Sequence, residues 1–471
     1  MAKQFDLVII GGGPGGYTAA LRAADLGMKV AVAEKDKLGG ACINRGCIPT
    51  KALLYASSTF SSLQDCDDMG VYTDFISFDF KKMQDYKQRA VDRYLDGIWS
   101  LFQENGIQVF HGTGTLRRDR TVEVSGENGR EFLQGRFVIL ASGAKPGIPA
   151  IPGADGAGVM TSDQLLTSNT WNYDRLTIVG GGVIGVELAT VFSNLCSKVT
   201  ILEAGDRLLG PMDREVSAQL ERELVRRGIT VHCGVQVEAI EGDGTVCRVR
   251  KGQETFEVRS SRILLAAGRK PYLEGLLGED VSPELEDGRL KVDGDFMTSE
   301  PGVYAIGDLV SRVRLAHVAA AQATYVVEKL SGREPHIRLE VVPGGTFVRL
   351  PVVPSCIYTS PEIASVGLTE EVARRHGMKV VCGHYDMGKN GKSIIAREES
   401  GFIRLVFDAY AHTLVGAQIM CARATDMIGE MATAIVNGMT ASQLSMAMRA
   451  HPTYGEGIAA AIGDAMRERR D

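Results

Sequence analysis

The stretch DLVIIGGGPGGYTAALRAA, residues 6–24, decides the fold. It opens with an apolar run typical of a buried parallel strand and closes with small residues typical of a helix packed on that strand. Between the two, Gly11 permits a tight turn, Gly13 lets a pyrophosphate approach the backbone, and Gly16 lets the helix lie close to the strand. A second apolar strand then ends at Glu34, where the hydroxyl of a ribose is expected. This order predicts a Rossmann-like dinucleotide-binding domain.

The same pattern recurs in the middle of the chain. An apolar run leads into GGGVIG, residues 180–185, in which Gly180, Gly182 and Gly185 repeat the three glycine roles, and the next strand ends at Glu203. Two complete fingerprints imply two dinucleotides, which suggests a flavin and a nicotinamide that exchange electrons. A carboxylate accepts a hydrogen bond from a ribose 2′-hydroxyl but repels a 2′-phosphate, so Glu203 favours NAD over NADP.

Composition narrows the function classes. The chain has 471 residues, enough for about three domains. Its net charge of −6 argues against a nucleic-acid or membrane surface, and it contains no apolar run long enough to span a bilayer. Nine cysteines without a disulfide framework, and an N-terminus without a signal-peptide pattern, predict a cytoplasmic protein. No metal ligands are predicted.

The rest of the chain divides at changes of pattern. The segment PGIPAIPG, residues 146–153, is the clearest linker. A later strand ends at Asp308, which taken alone would be the N-cap of a helix around Ala316. Alternating residues between 401 and 420 predict an antiparallel hairpin, followed by a helix from about 424. These elements indicate a C-terminal α+β domain that either packs between subunits or simply covers the others.

Two cysteines in GGACINRGCIPTK, residues 39–51, form the first candidate reactive site. Positions five apart in a regular helix have Cα atoms roughly 8–9 Å apart. A disulfide needs about 4.4–6.8 Å, so a Cys42–Cys47 bond requires a distortion that Gly46 can supply. A bond closing so short a loop is expected to be strained and easily reduced, as catalytic disulfides are. The alternative is a pair of buried free thiols.

A second candidate lies near the C-terminus, in HPTYGE, residues 451–456. Pro452 favours an extended conformation at His451, and Glu456 can return to the imidazole to orient it and raise its basicity. A His–Glu pair by itself is more often a surface hydrogen bond. A dithiol site, however, needs a base to generate its attacking thiolate.

Taken together, GACINRGCIPTK, both glycine fingerprints, the strand ending at Asp308 and the His451–Glu456 segment resemble the flavoprotein disulfide reductases. Within that family the chain is most similar to the dihydrolipoamide dehydrogenases of the 2-oxoacid dehydrogenase and glycine-cleavage complexes. The resemblance implies an α/β homodimer with two Rossmann-like dinucleotide-binding domains and a C-terminal α+β dimerisation domain. The implied bounds are an FAD-binding domain over 1–148, an NAD-binding domain over 149–271, a central segment over 272–345 that completes the FAD domain, and the dimerisation domain over 346–471.

The resemblance also implies roles for individual residues. Cys42 would meet the substrate, a dihydrolipoyl group on another protein, and Cys47 would lie beside the flavin. Lys51 and Glu187 would form an ion pair near the flavin N5 atom. His451 would act as acid and base from the other subunit, held by Glu456. Further contacts are implied for FAD at Gly114, Ser142, Asp308 and Ala316, and for NAD at Val237 and Gly268.

Three positions depart from the family pattern. Arg449 stands where many relatives have His, Ser142 replaces a common Thr, and Tyr272 replaces an Asn. Two other functions stay open. An NADH-dependent reductase of a different small disulfide would share all these features. A flavin-binding scaffold in a complex would not need the two cysteines and His451 together.

Overall fold

The computed structural model describes residues 2–64, 66–127, 129–337, 340–341, 348–349 and 352–468. The strands of its first segment are β1 (Lys3–Ile10), β2 (Val30–Glu34), β3 (Gln108–His111), β4 (Thr113–Leu116), β5 (Thr121–Gly126), β6 (Gly129–Leu140) and β7 (Ala144–Pro146). The helices are α1 (Pro14–Asp25), α2 (Gly40–Arg45), α3 (Cys47–Gln64) and α4 (Phe80–Glu104).

The first sheet is built around β1. Its strand order is β3-β2-β1-β6-β5-β4, with β1, β2, β3 and β6 parallel and β4 and β5 antiparallel. Leu7, Val8 and Ile9 have no exposed surface, because the sheet is covered on both faces as parallel sheets are. Ala19 and Ala23 of α1 are equally buried, and their small side chains let α1 lie close to the sheet.

The second segment contains a second parallel sheet. Its strands are β8 (Val159–Thr161), β9 (Arg175–Val179), β10 (Lys198–Glu203), β11 (Thr230–Cys233), β12 (Gln236–Glu241), β13 (Val246–Lys251), β14 (Glu254–Arg259), β15 (Arg262–Leu265) and β16 (Arg269–Pro271). Its helices are α5 (Ser162–Thr167), α6 (Val183–Asn194) and α7 (Arg214–Arg226). The parallel sheet has the order β11-β10-β9-β15-β8, while β12, β13 and β14 form a separate antiparallel sheet. Strands β7 and β16 pair where the chain enters and leaves this segment.

The third segment returns to the first sheet. It contains β17 (Leu285–Glu286), β18 (Arg289–Leu290), β19 (Val303–Ala305) and α8 (Ala316–Leu330). Strand β19 pairs with β6 in parallel, with Val303 opposite Val138. The end of β19, and the residues that follow it, therefore lie at the same edge of the sheet as the first glycine turn.

The last segment is an antiparallel sheet with helices. Its strands are β20 (Glu340–Val341), β21 (Val348–Arg349), β22 (Ser355–Ile357), β23 (Glu362–Gly367), β24 (Val380–Asp386), β25 (Phe402–Asp408) and β26 (Leu414–Cys421). Its helices are α9 (Glu370–Arg375), α10 (Gly391–Ala396), α11 (Ala424–Val436), α12 (Ala441–Ser445) and α13 (Glu456–Glu468). The main sheet has the order β22-β23-β26-β25-β24, and the predicted hairpin is confirmed as β25 and β26.

The predicted fold class is confirmed: two Rossmann-like units precede an α+β C-terminal unit. The domain bounds at 148 and 271 stay predictions. The predicted boundary between 345 and 346 lies outside the described residues, as do the chain ends at 1 and 471.

Candidate active site

The two cysteines of the first candidate site form a disulfide because the chain breaks between two helices. Helix α2 ends at Arg45 and α3 begins at Cys47, so Gly46 alone separates them. The Cα atoms of Cys42 and Cys47 lie 4.8 Å apart. A Cβ atom on Gly46 would lie 3.0 Å from the Ala41 carbonyl oxygen and 3.3 Å from the Cys42 Cα. The distortion predicted at Gly46 is therefore present, and the interpretation as two free thiols is wrong.

One turn further along α3, Lys51 forms an ion pair with Glu187 of α6. Its Nζ atom donates to both carboxylate oxygens, at 2.8 Å and 2.7 Å. The Glu187 side chain is only 4% exposed, whereas that of Lys51 is 31% exposed. Cys47 and Lys51 are four residues apart on one helix and so share a face. The pair therefore joins the two Rossmann-like units next to the disulfide.

In the first glycine turn, Gly11 and Gly16 leave no room for a side chain, whereas Gly13 does. A Cβ atom on Gly11 would lie 2.4 Å from the Ala141 carbonyl oxygen, and one on Gly16 would lie 1.8 Å from that of Gly11. A Cβ atom on Gly13 would meet only the Gly40 Cα, at 3.8 Å. The backbone can therefore be approached at Gly13, where the first turn of α1 also has no side-chain cap.

The second glycine turn has the same construction. A Cβ atom on Gly180 would lie 2.5 Å from the Ala266 carbonyl oxygen, and one on Gly185 would lie 2.0 Å from that of Gly180. One on Gly182 would have nothing within 4 Å. Both turns thus leave room for a diphosphate at the middle glycine of the fingerprint.

The two strand-end carboxylates also hold the glycine turns. Glu34 accepts a hydrogen bond from the Gly12 amide at 2.7 Å, and Glu203 accepts one from the Gly181 amide at 2.6 Å. The second oxygen of Glu203 accepts from the Gly205 amide at 2.5 Å, as that of Glu34 does from the Asp36 amide at 2.9 Å. Each carboxylate is therefore held in place by two backbone amides.

Asp308 lies in a short 3-10 turn after β19 and not at a helix N-cap. The residue before α8 is Leu315, so the alternative interpretation of Asp308 as an N-cap is wrong. No hydrogen bond joins the Asp308 carboxylate to another residue within the described ranges. Burial raises its pKa, and the charges of Arg269 and Arg314 oppose that rise. A largely buried carboxylate without a hydrogen-bond partner among the described residues, near the edge of the first sheet, fits a polar group of a ligand.

The other predicted cofactor contacts are spread over both Rossmann-like units. The Ser142 hydroxyl donates to the Tyr272 carbonyl oxygen at 2.7 Å. A Cβ atom on Gly114 in β4 would lie 3.1 Å from Ile10. Two others are placed on the second unit, with Val237 in β12 and Gly268 at φ +106° between β15 and β16. Ala316 is the first residue of α8, whose N-terminus has no side-chain cap.

The second candidate site is an exposed imidazole held by a carboxylate. His451 Nδ1 lies 2.9 Å from Glu456 Oε1, and the other carboxylate oxygen accepts from the Thr453 amide at 2.8 Å. The His451 side chain is 79% exposed. The Thr453 amide and the imidazole lower the pKa of Glu456. Within the described part of one chain, His451 forms no hydrogen bond or ion pair with Cys42 or Cys47.

Of the three positions that depart from the family pattern, Arg449 is the nearest to His451 in the sequence. Its guanidinium is paired with Glu430 of α11 and donates to the Ala447 carbonyl oxygen at 3.1 Å. The Arg449 side chain is only 9% exposed. It therefore fastens the segment that carries His451 to α11.

Comparison with known protein families covers nearly the whole chain. Residues 5–323 match the family described as pyridine nucleotide-disulphide oxidoreductase, and residues 353–462 match its dimerisation domain. The chain belongs to this family. Two of its relatives are named dihydrolipoyl dehydrogenase. The one from Bacillus subtilis is 36% identical, covering 97% of each chain. The one from Chlorobaculum tepidum is also 36% identical, covering 99% of this chain and 98% of the relative.

Solved structures agree with the family's fold. LpdA from Mycobacterium tuberculosis superimposes with a TM-score of 0.87 and 24% identity, covering 99% of this chain and 100% of that one. The HOCl-induced flavoprotein disulfide reductase RclA from Escherichia coli superimposes with a TM-score of 0.84 and 25% identity, covering 97% of this chain and 99% of that one.

As a member of this family, the protein is an oxidoreductase that uses FAD and NAD(H). The open faces of Gly13 and Gly182 and the carboxylate of Asp308 fit two dinucleotides. The match to the dimerisation domain supports a homodimer. Across the described residues, no helix combines the length and the apolar character needed to cross a membrane.

Sequence reasoning missed one residue of the site, Tyr358. Its backbone amide donates to Glu187 Oε1 at 3.0 Å, and Lys51 Nζ lies 4.5 Å from the centroid of its ring. It also missed the hydrogen bonds by which Glu34 and Glu203 hold the glycine turns. The repeated spacing of glycine turn and acid was the available signal for those bonds. For Tyr358 there was none, since it is 171 residues from Glu187.

Proposed function

We propose that the protein is a dihydrolipoyl dehydrogenase, which reoxidises dihydrolipoyl groups through the Cys42–Cys47 disulfide and FAD and passes the electrons to NAD. The observation that carries the proposal is the disulfide one helical turn before Lys51, whose ammonium is paired with Glu187. Full-length relatives with that name support the substrate class.

The chemistry at the disulfide begins with a proton transfer. His451 of the partner subunit removes a proton from one thiol of the dihydrolipoyl group. The hydrogen bond of Nδ1 to Glu456 leaves Nε2 free to accept that proton and stabilises the imidazolium that forms. The exposure of His451 within one chain supports a role toward a group outside that chain.

Two thiol–disulfide exchanges follow. The substrate thiolate attacks the Cys42 sulfur, which breaks the Cys42–Cys47 bond and releases Cys47 as a thiolate. The second substrate thiol then attacks the mixed disulfide, so that the lipoyl disulfide leaves and Cys42 takes up a proton. The substrate has lost two electrons, which the two cysteines now hold. When bound, FAD accepts these electrons and supplies hydride transfer to NAD.

The remaining site residues bind and position the cofactors in this proposal. Lys51 and Glu187 would hold an ion pair near the flavin N5 atom, and Glu203 would bind the ribose 2′-hydroxyl of NAD. The other FAD contacts are Gly11, Gly13, Gly16, Glu34, Gly114, Ser142, Asp308 and Ala316. The other NAD contacts are Gly180, Gly182, Gly185, Val237 and Gly268. The lipoyl group arrives on a protein of a 2-oxoacid dehydrogenase or glycine-cleavage complex.

The proposal is tested by assaying the FAD-loaded protein with lipoamide and a panel of other small disulfides, each with NADH and with NADPH. We expect the highest kcat/KM for lipoamide with NADH. Cys42→Ser should abolish lipoamide turnover while leaving the flavin bound, because only the sulfur that meets the substrate is removed. Cys196→Ser, at an exposed free cysteine, is the matched control. Normal lipoamide turnover by the Cys42 variant would refute the scheme.

A reductase of another small disulfide is the second candidate. It is favoured by the likeness to RclA, which is named as a flavoprotein disulfide reductase, and by Arg449, two residues before His451, which stands where many relatives have His. The same panel separates the two, because this candidate requires a higher kcat/KM for a disulfide other than lipoamide.

A further inference from the structure

Tyr358 contacts both partners of the Lys51–Glu187 ion pair. It follows directly after β22, in the segment that leads into the C-terminal sheet. Its backbone amide donates to the Glu187 carboxylate at 3.0 Å, and the face of its ring lies 4.5 Å from the Lys51 ammonium. One residue of the C-terminal unit therefore contacts a charged group from each of the two Rossmann-like units.

The surroundings of the pair make both contacts significant. Glu187 is 4% exposed, so its carboxylate is compensated by the three hydrogen bonds that it accepts, two from Lys51 and one from Tyr358. Lys51 is 31% exposed, and a long side chain with that freedom has several rotamers open to it. An aromatic face attracts an ammonium group and so selects among those rotamers.

The phenol is suited to this role as a neutral ring. Burial, together with the nearby Cys356 and Glu362, raises the pKa of Tyr358. A neutral phenol keeps the electron-rich face that attracts a cation. The hydroxyl itself makes neither of the two contacts with the ion pair, so phenylalanine would preserve both of them.

The geometry points to Tyr358 as a positioning residue of the proposed flavin site, acting through Lys51. The ring and the amide of Tyr358 hold the Lys51 ammonium and the Glu187 carboxylate in one arrangement. The C-terminal unit, whose His451 serves the disulfide of the partner subunit in the proposed function, thereby also controls a charge on the flavin side of its own chain. This inference rests on the proposed function, since the Lys51–Glu187 pair has its value there from its place beside the flavin.

The test compares Tyr358→Leu, which removes the ring but keeps the amide, with Tyr358→Phe, which keeps both. The FAD-loaded proteins are examined by the flavin absorption spectrum at rest and by the rate of flavin reduction with NADH in a stopped-flow instrument. We expect Tyr358→Leu to shift the flavin spectrum and to slow reduction about fivefold, the size of one partly exposed cation–π contact. The KM for dihydrolipoamide should be unchanged, and Tyr358→Phe should restore both flavin readouts.

Tyr410→Leu is the matched control, because Tyr410 lies in the same C-terminal unit and is 72% exposed. If Tyr358→Leu loses its flavin, Tyr358→Met takes its place, since its longer, unbranched side chain adapts to the space of the ring without supplying an aromatic face. A wild-type spectrum and reduction rate in the ring-less variant would overturn the inference, and so would an equal loss in Tyr358→Phe. Neither readout uses lipoamide, so absence of lipoamide turnover in the wild type would refute the proposed function separately.

Discussion

Removing the Lys51 ammonium should destabilise the protein far more than removing an ordinary surface lysine. Lys51→Met keeps most of the side-chain volume but leaves Glu187 with only the Tyr358 amide as a donor. A buried carboxylate that loses its counter-ion keeps its desolvation cost without the compensating attraction. The expected destabilisation therefore comes from the uncompensated charge of Glu187 rather than from weaker packing around position 51.

The size of the effect follows from the exposure of the two partners. Removing one partner of a buried ion pair costs about 3–5 kcal/mol. Because Lys51 is 31% exposed and water can reach its side of the pair, we expect the lower end, about 3 kcal/mol. The double variant Lys51→Met/Glu187→Leu removes both charges and should recover most of this loss. It leaves only the Tyr358 amide without its acceptor, a cost of about 1 kcal/mol.

The assay is urea unfolding of the FAD-loaded protein, followed by tryptophan fluorescence and arranged as a double-mutant cycle. Lys291→Met is the control, because its pair with Glu284 has a similar distance, 2.8 Å, but is 48% and 61% exposed. That variant should lose little stability, because water and salt screen an exposed ion pair. A loss in Lys51→Met no larger than in this control, or a double variant less stable than the single one, would refute the role given to the Glu187 charge.

Two further predictions use packing and charge elsewhere. Gly185→Ala brings a Cβ atom to 2.0 Å from the Gly180 carbonyl oxygen, so NADH titration should show lost binding with full flavin content. Gly97→Ala is its control, because a Cβ atom at this position in α4 would have nothing within 4 Å. Alanine is a better helix former than glycine, so this variant should be more stable by about 0.5–1 kcal/mol. Equal NADH affinity in the two variants would contradict the packing argument. The pKa of Glu215 lies below its ordinary 4.5, chiefly because its carboxylate shares a hydrogen bond with His384. The ionised Glu215 carboxylate therefore stabilises the folded protein above pH 4.5, and this stabilisation is lost as the pH falls through the lower folded pKa. In Glu215→Gln, the melting temperature should therefore fall less steeply with decreasing pH than in the wild type. An acid limb that superimposes on the wild type would refute this.

The parts of the fold that sequence predicted are those set by local chemistry. Apolar runs followed by glycine turns predicted both parallel sheets, because buried strands and tight turns each need particular residue types over a few positions. The break at Gly46 was equally local, since a disulfide between Cys42 and Cys47 is incompatible with a continuous helix.

The parts that sequence could not predict depend on tertiary approach. The Lys51–Glu187 pair joins residues 136 apart and was anticipated only through the family resemblance. Tyr358 contributes through a backbone amide, which every residue except proline possesses, so its side-chain identity carried no sign of that hydrogen bond. The alternative interpretation of Asp308 as an N-cap is wrong because the chain makes a separate turn before α8 begins at Ala316.

The proposed ribose contact of Glu203 has a consequence for the redesign of coenzyme preference, because the same carboxylate also holds the second glycine turn. Converting such an enzyme to NADPH ordinarily starts by replacing this acid with a neutral or basic residue. Here that replacement would also detach the amides of Gly181 and Gly205 from their acceptor. Coenzyme selectivity and the conformation of the loop thus depend on the same side chain. A successful redesign must therefore supply another acceptor for those two amides.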